Sequence, residues 1–236
     1  MTGTAEFDSF ADSYDRDLAE ALAASGEDRK YFAEGRVKWL AGILQRMGTQ
    51  PRRAMDYGCG TGSTSALLLE KLGAEAVVGV DLSLRSLDVA RRNNSSDRIQ
   101  FSPIEEYTSS ESVDLAYCNG VFHHIPRAER SKALRFIHRS LRAGGLFSFW
   151  ENNPWNPGAR HVMAHCAFDK DAVTLSPPEA MRLVLSEGFT ILRTDFLFIF
   201  PRFLKLARPA EKLVSKLPLG AQYQILCQKK IGRAHV

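Results

Sequence analysis

The spacing of apolar residues changes along the chain. In the first 50 residues it is helical. Leu18, Leu22 and the neighbouring alanines make one stripe, and Phe32, Val37, Leu40, Ala41 and Leu44 recur at three- and four-residue steps in another. Gly48 and Pro51 then mark a break. From Arg53 short apolar runs alternate with amphipathic stretches. The pattern predicts strands over Arg53–Tyr57, 76–80, 98–102, 113–118 and 146–150, with helices over Ser63–Leu72, 83–92 and 127–141 between them. Ala76-Val-Val-Gly-Val80 is nearly all apolar, as a strand covered on both faces must be. Gly73 is placed as a helix C-cap and Ser83 as an N-cap, and Gly144-Gly145 closes the helix after 127. Strands and helices alternating in this way predict an α/β fold, a parallel sheet with helices on both faces.

After residue 152 the rhythm breaks. Residues 152–175 are rich in Pro, Asn and His, and are expected to be irregular. A helix follows over 176–187, with Pro177 at its first position and Gly188 past its end. Residues 190–200 predict a strand, 202–217 a basic helical stretch broken by Pro209, and 222–228 a last strand. With no repeat and no low-complexity linker, the expected organisation is a helical N-terminal cap over 1–50 and one domain over 51–230.

Composition narrows the class. The 236 residues are 44% hydrophobic and 25% charged, as in soluble globular proteins. No apolar run approaches the ~20 residues that span a bilayer, and the N-terminus lacks the basic-then-apolar pattern of a secretory leader. Cys59, Cys118, Cys166 and Cys227 form no Cys-x-x-Cys pair, so neither a disulfide framework nor a zinc site is expected, and a cytoplasmic location is. The net charge of +4 hides an asymmetry: residues 202–236 hold 8 Lys and Arg against 1 acid, a net of +7, leaving −3 for the rest. The main body therefore carries no electrostatic footprint for nucleic acid, which is not an expected partner. The final Ile231-Gly-Arg-Ala-His-Val236 matches one reading frame of a common sequencing adapter and is set aside as a non-native tail.

The chemistry concentrates in Asp56-Tyr-Gly-Cys-Gly-Thr-Gly62. Glycines at 58, 60 and 62 allow a sharp turn between strand and helix and a close approach of a ligand to the backbone. Asp81, ending the second strand, can accept hydrogen bonds from both hydroxyls of a ribose. The pair reads as a nucleoside site. A dinucleotide fingerprint would need glycine at 63, where Ser63 stands, and the Lys of a phosphate-binding loop is absent. Asp56 is awkward beside a phosphate and suits a cationic ligand.

These residues resemble the first motif of class I S-adenosylmethionine (SAM)-dependent methyltransferases of the small-molecule type. Val80-Asp-Leu-Ser83, the run from Val113 to Pro126 and Leu141-Arg-Ala-Gly-Gly-Leu146 match the family's later motifs in order. Phe7–Tyr14 is similar to the helical cap that such enzymes fold over the cofactor. The resemblance implies a Rossmann-like seven-stranded, mostly parallel sheet whose last strand is antiparallel. It also implies methyl transfer from SAM to a small-molecule acceptor. By position, Gly58, Cys59, Gly60, Thr61 and Gly62 would hold the methionyl part, with Asp56 near its ammonium. Asp81 would bind the ribose, and Leu82 would pack on adenine. Asn119 and Gly120 would line the sulfonium. An acid that often contacts adenine is replaced by Pro103, leaving the Ile104 backbone and Glu105 as substitutes.

His123 and His124 after the fourth strand are base candidates, because imidazole titrates near neutrality, and Glu151 could orient an acceptor hydroxyl. Glu151-Asn-Asn-Pro-Trp-Asn-Pro157 resembles a Pro-Asn-rich insertion in some small methyltransferases, where Trp155 would wall the substrate pocket. His161, His165 and Cys166 lack a fourth ligand, so no metal is expected. The stretch 202–217 puts Phe203, Leu206, Leu213 and Leu217 on one face and its cations on others. It can pack on the sheet, form a homodimer contact or lie on an anionic membrane. Alternative readings are a nucleic acid or protein methyltransferase, or a SAM-binding module without catalysis.

Overall fold

A computed structural model of the protein describes residues 20–169 and 172–230. Leu18, the Phe7–Tyr14 segment and the adapter-like hexapeptide lie outside the described residues. Seven strands form one sheet: β1 Arg53–Tyr57, β2 Ala76–Asp81, β3 Ile99–Pro103, β4 Val113–Asn119, β5 Leu141–Asn152, β6 Phe189–Leu197 and β7 Gln222–Lys229. Their order is β3-β2-β1-β4-β5-β7-β6. Pairing is parallel from β3 across to β5, and β7 runs antiparallel to both β5 and β6. The expected seven-stranded sheet with its antiparallel last strand is therefore present.

Seven α-helices accompany the sheet among the described residues that have assigned bounds: α1 Arg29–Arg46, α2 Ser63–Leu72, α3 Leu84–Asn93, α4 Arg130–Ser140, α5 Pro157–His165, α6 Pro177–Ser186 and α7 Glu211–Val214. Successive strand residues point to opposite faces, so the sheet builds two cores. Met55, Ala116, Cys118, Phe147 and Phe149 pack against Leu134 and Ile137 of α4 and Val184 of α6. Ala54, Leu115, Tyr117 and Leu146 pack on the other face against Val37, Leu40 and Leu44 of α1 and Leu68 of α2. Each such side chain contributes about 1.5–3 kcal/mol on burial, which is why near-continuous apolar runs became central strands.

The order reverses at β1: β2 lies on one side and β4 on the other. At such a point the loops leaving the two strands part in opposite directions and open a crevice beyond the carboxyl ends.

Three expectations need correction. Residues 152–175 are not all irregular: they hold α5 and a 3-10 turn at Ala167–Asp169. The Asn156 side chain accepts from the Ala159 amide, and Pro157 takes the first helical position, where no amide donor is needed. The strand expected to reach residue 200 ends at Leu197, because Phe198 adopts φ +62°. Pro209 does not break 202–217. Arg202–Ala210 is 3-10 helix kinked at Leu204, whose φ of −105° and ψ of 23° are not helical, and α7 follows directly, so Pro209 sits just before a first turn, where its missing N–H costs little.

Candidate active site

At the carboxyl end of β1 the chain turns through residues 58–62 into α2. Gly62 is the N-cap of α2 at φ +79°, and a Cβ there would fall 2.7 Å from Phe101, 2.8 Å from Asn94 and 2.9 Å from Ala90. Gly60 differs. At φ +52° a Cβ would meet nothing within 4 Å, because it would project into open space beside a cavity. The Gly60 amide donates to Asp81 Oδ2 at 2.8 Å, and the Ser83 amide donates to Asp81 Oδ1 at 2.9 Å. The acid ending β2 is thus fastened to the loop leaving β1. Leu82, beside it, is 61% exposed.

The cavity has a volume of about 520 Å³ and lies over the carboxyl ends of β1 and β4. Asp56, Gly58, Cys59 and Gly60 form part of its wall, with Asn119 and Gly120 beside them. Asp56 is buried, and its carboxylate accepts from Ser65 Oγ at 2.7 Å. Burial pushes its carboxyl up to about 7, although the Ser65 hydrogen bond opposes the shift. Asn119 Oδ1 is buried without a hydrogen-bond partner, and a buried acceptor left unmatched costs free energy until a donor arrives. Cys59 turns its sulfur toward Gly79, where a Cβ would come within 2.9 Å of it. Burial raises this thiol well above its ordinary value.

A second wall comes from elsewhere. Arg36 of α1 is buried and lines the cavity. Its Nε donates to the Tyr117 hydroxyl at 3.1 Å and its Nη1 to Gln222 Oε1 at 2.9 Å. His123 and His124 follow β4, and Asp169 ends the 3-10 turn; all three face the cavity. Glu151, near the end of β5, lies beneath them. Its Oε1 accepts from the Phe122 amide at 2.8 Å and its Oε2 is 2.6 Å from His123 Nδ1. His123 Nε2 is 3.3 Å from Asp169 Oδ1, and His124 Nε2 is 3.2 Å from the same oxygen. Burial disfavours the His123 imidazolium, but the Glu151 charge and hydrogen bonds to Asp169 and Glu151 outweigh it and push His123 up to about 10. Burial likewise raises Asp169, and the two histidines outweigh it, holding Asp169 down at about 2.

The structure gathers Asp56, Gly58, Cys59, Gly60, Asn119, Gly120, His123 and His124 on one cavity and leaves Thr61, Gly62, Asp81, Leu82, Ile104, Glu105 and Glu151 off its wall. Glu151 does not reach the cavity: both its oxygens are turned to Phe122 and His123, so it positions His123 rather than an acceptor. Trp155 is half-exposed and forms no part of the wall, while Asn152, Asn156 and Pro157 do. Thr61 and Ser63 receive the Arg29 guanidinium at 3.3 and 2.6 Å, tying α1 to the loop at the edge of the cavity, which Arg29 also lines. The Ile104 amide donates to the Asp81 carbonyl at 3.0 Å, so it holds the turn after β3 and is not left for a base. Glu105 is exposed and lies off the cavity. Arg36 and Asp169 were not expected. Arg36 had a signal: a charge at a core-facing position between Ala33 and Val37. Asp169 had none, because it lies in a segment without periodicity.

Residues 54–145 match the methyltransferase domain family. A trans-aconitate 2-methyltransferase from Rhizobium leguminosarum bv. trifolii is 29% identical over 106 residues, covering 44% of this chain and 41% of that protein. A ubiquinone biosynthesis O-methyltransferase from Bordetella avium is 31% identical over 130 residues, 50% of each. The chain thus spans half or less of the length of these two relatives. Among solved structures, a SAM-dependent methyltransferase from Mesorhizobium loti shares the fold with a TM-score of 0.56 and 22% identity, over 75% of this chain and 90% of that one.

The residues of this site fit SAM. The partnerless Asn119 oxygen and the buried Asp56 carboxylate suit the cationic methionyl end. The open space at Gly60 admits a ligand against the backbone, and the fastened Asp81 beside exposed Leu82 suits a ribose and a base.

Proposed function

We propose that the protein transfers a methyl group from SAM to a small-molecule acceptor held in the 520 Å³ cavity. The observation that carries this reading is that one cavity joins two walls. The glycine loop, Asp56 and Asn119 form the first, and Arg36, His123, His124 and Asp169 form the second. A cofactor's reactive end and an acceptor held between them would be brought together in a fixed geometry, and aligned reactants gain from proximity.

SAM would supply a methyl carbon activated by positive sulfur, open to in-line displacement. Asp56 and Asn119 would bind the methionyl ammonium, Asp81 the ribose hydroxyls, and Leu82 the face of adenine. The Arg36 guanidinium suits an acceptor carrying an anionic oxygen. That agrees with relatives whose names attach the methyl group to trans-aconitate or to an oxygen in ubiquinone biosynthesis. The helical cap over 1–50 would complete the cofactor's cover through Arg29, and four cysteines without a disulfide support a cytoplasmic setting.

Calorimetry with SAM and its demethylated product tests the reading. Micromolar binding is expected, and Asp81→Ala should weaken it at least tenfold, about 1.4 kcal/mol. Unchanged affinity in the variant removes the ribose role, and no binding by the native chain removes the reading.

A further inference from the structure

We propose that His123, His124 and Asp169 form a binding site for one divalent transition-metal ion of the zinc class. The three side chains converge from separate parts of the chain. The histidines leave β4, and Asp169 arrives on the 3-10 turn after α5. Asp169 Oδ1 lies 3.3 Å from His123 Nε2 and 3.2 Å from His124 Nε2, and one donor atom from each residue lies within 4.8 Å of the others. Bonds of ~2.0–2.2 Å in a tetrahedral site put neighbouring donors roughly 3.3–3.6 Å apart. The cluster therefore needs only small side-chain rotations to close on an ion.

Three further features point to a cation. Glu151 takes the other ring nitrogen of His123 at 2.6 Å, the carboxylate–histidine arrangement that orients a metal ligand from behind. The Glu151 and Asp169 side chains are 1% and 7% exposed, so two buried carboxylates converge on the histidine pair, and a divalent ion would cancel both charges. All three ligating residues also face the cavity, which supplies an entry path and leaves the remaining coordination positions open toward an acceptor. Two imidazoles and one carboxylate suit Zn²⁺, Co²⁺ or Fe²⁺ better than Mg²⁺ or Ca²⁺, which favour all-oxygen sites. The site does not depend on the reaction being methyl transfer.

The test uses the full chain, stripped with a chelator and dialysed against ZnCl₂ or CoCl₂. One equivalent of zinc per chain is expected by mass spectrometry. His124→Gln and Asp169→Asn should each lower zinc affinity tenfold or more, and Glu151→Gln tenfold to a hundredfold. Circular dichroism checks that the variants keep the fold. X-ray absorption at the zinc edge of the native protein gives an independent reading, and should show scattering from two imidazoles with light-atom neighbours and no sulfur. No saturable zinc binding, unchanged affinity in both folded ligand variants, or sulfur in the coordination shell would each overturn the site. SAM affinity measured in parallel separates failure of this site from failure of the methyltransferase reading.

Discussion

Asp56 closes β1 as a carboxyl group sealed from water, with the Ser65 hydroxyl donating to it and its titration moved up to about 7. An acid whose folded pKa exceeds its unfolded value binds more protons in the folded state. Its contribution to stability is complete at pH values below its ordinary 3.8 and is lost as pH rises through about 7. Asp56→Asn removes that loss. At pH 8 the variant should be more stable than the native chain by roughly 1–3 kcal/mol, below the ~4 kcal/mol that the full displacement would represent. The advantage should vanish at pH 4. The same change removes a negative charge from the cofactor wall, so SAM affinity should fall as stability rises. Urea unfolding at the two pH values, with calorimetry at pH 8, measures both effects, and equal stability at pH 8 would refute the buried-charge account. Arg36 makes the complementary case on the other wall. Arg36→Met should raise the acceptor's KM at least tenfold and leave SAM affinity within a few-fold, because the guanidinium binds the acceptor and the loop binds the cofactor. Equal losses in both would instead mean that the wall had collapsed.

Among elements, those with a strong period are legible in the sequence. Arg53–Tyr57 and Ser63–Leu72 have the bounds that the pattern predicts, because a glycine-rich turn ends the strand and the helix beside it carries an apolar stripe. The glycine loop is legible because positive φ at Gly60 and Gly62 leaves its mark in residue type. The second wall of the cavity is not. α5 places Ala159, Val162 and Met163 at helical spacing, yet the Pro, Asn and His residues in and beside it mask the stripe, and only the tertiary fold brings Asp169 to the histidines. Asn156 shows how such an element is held. Its Oδ1 caps the helix through the Ala159 amide at 2.9 Å, and its Nδ2 donates to the Leu219 carbonyl at 2.7 Å. Asn156→Ala removes both and should cost about 1–2 kcal/mol. It should also loosen the cavity wall that α5 provides. A melting temperature unchanged within one degree would show that neither bond matters to the fold.

For the molecule as a whole, charge and apolar exposure coincide on one surface. Phe203, Leu206 and Leu213 are 82%, 91% and 86% exposed, so the stretch 202–217 does not bury these side chains on the sheet. Arg202, Lys205 and Lys212 are exposed among them, and the stretch 202–217 holds five Lys and Arg against one acid, a net of +4. Phe203 also lines the cavity, which joins this surface to the cavity mouth. Among the described residues no helix is long and apolar enough to cross a membrane. The combination suits an anionic bilayer surface: apolar side chains enter the acyl boundary, and each cation near the surface adds about 1 kcal/mol. The native chain should sediment with vesicles containing anionic phospholipid, not with neutral ones, and salt should weaken the binding. Leu206→Asp combined with Leu213→Asp should lower it at least tenfold while SAM affinity stays unchanged, since neither residue lines the cavity. A concentration-dependent dimer by light scattering, with no vesicle binding, would assign the surface to a second copy of the chain and overturn the membrane reading.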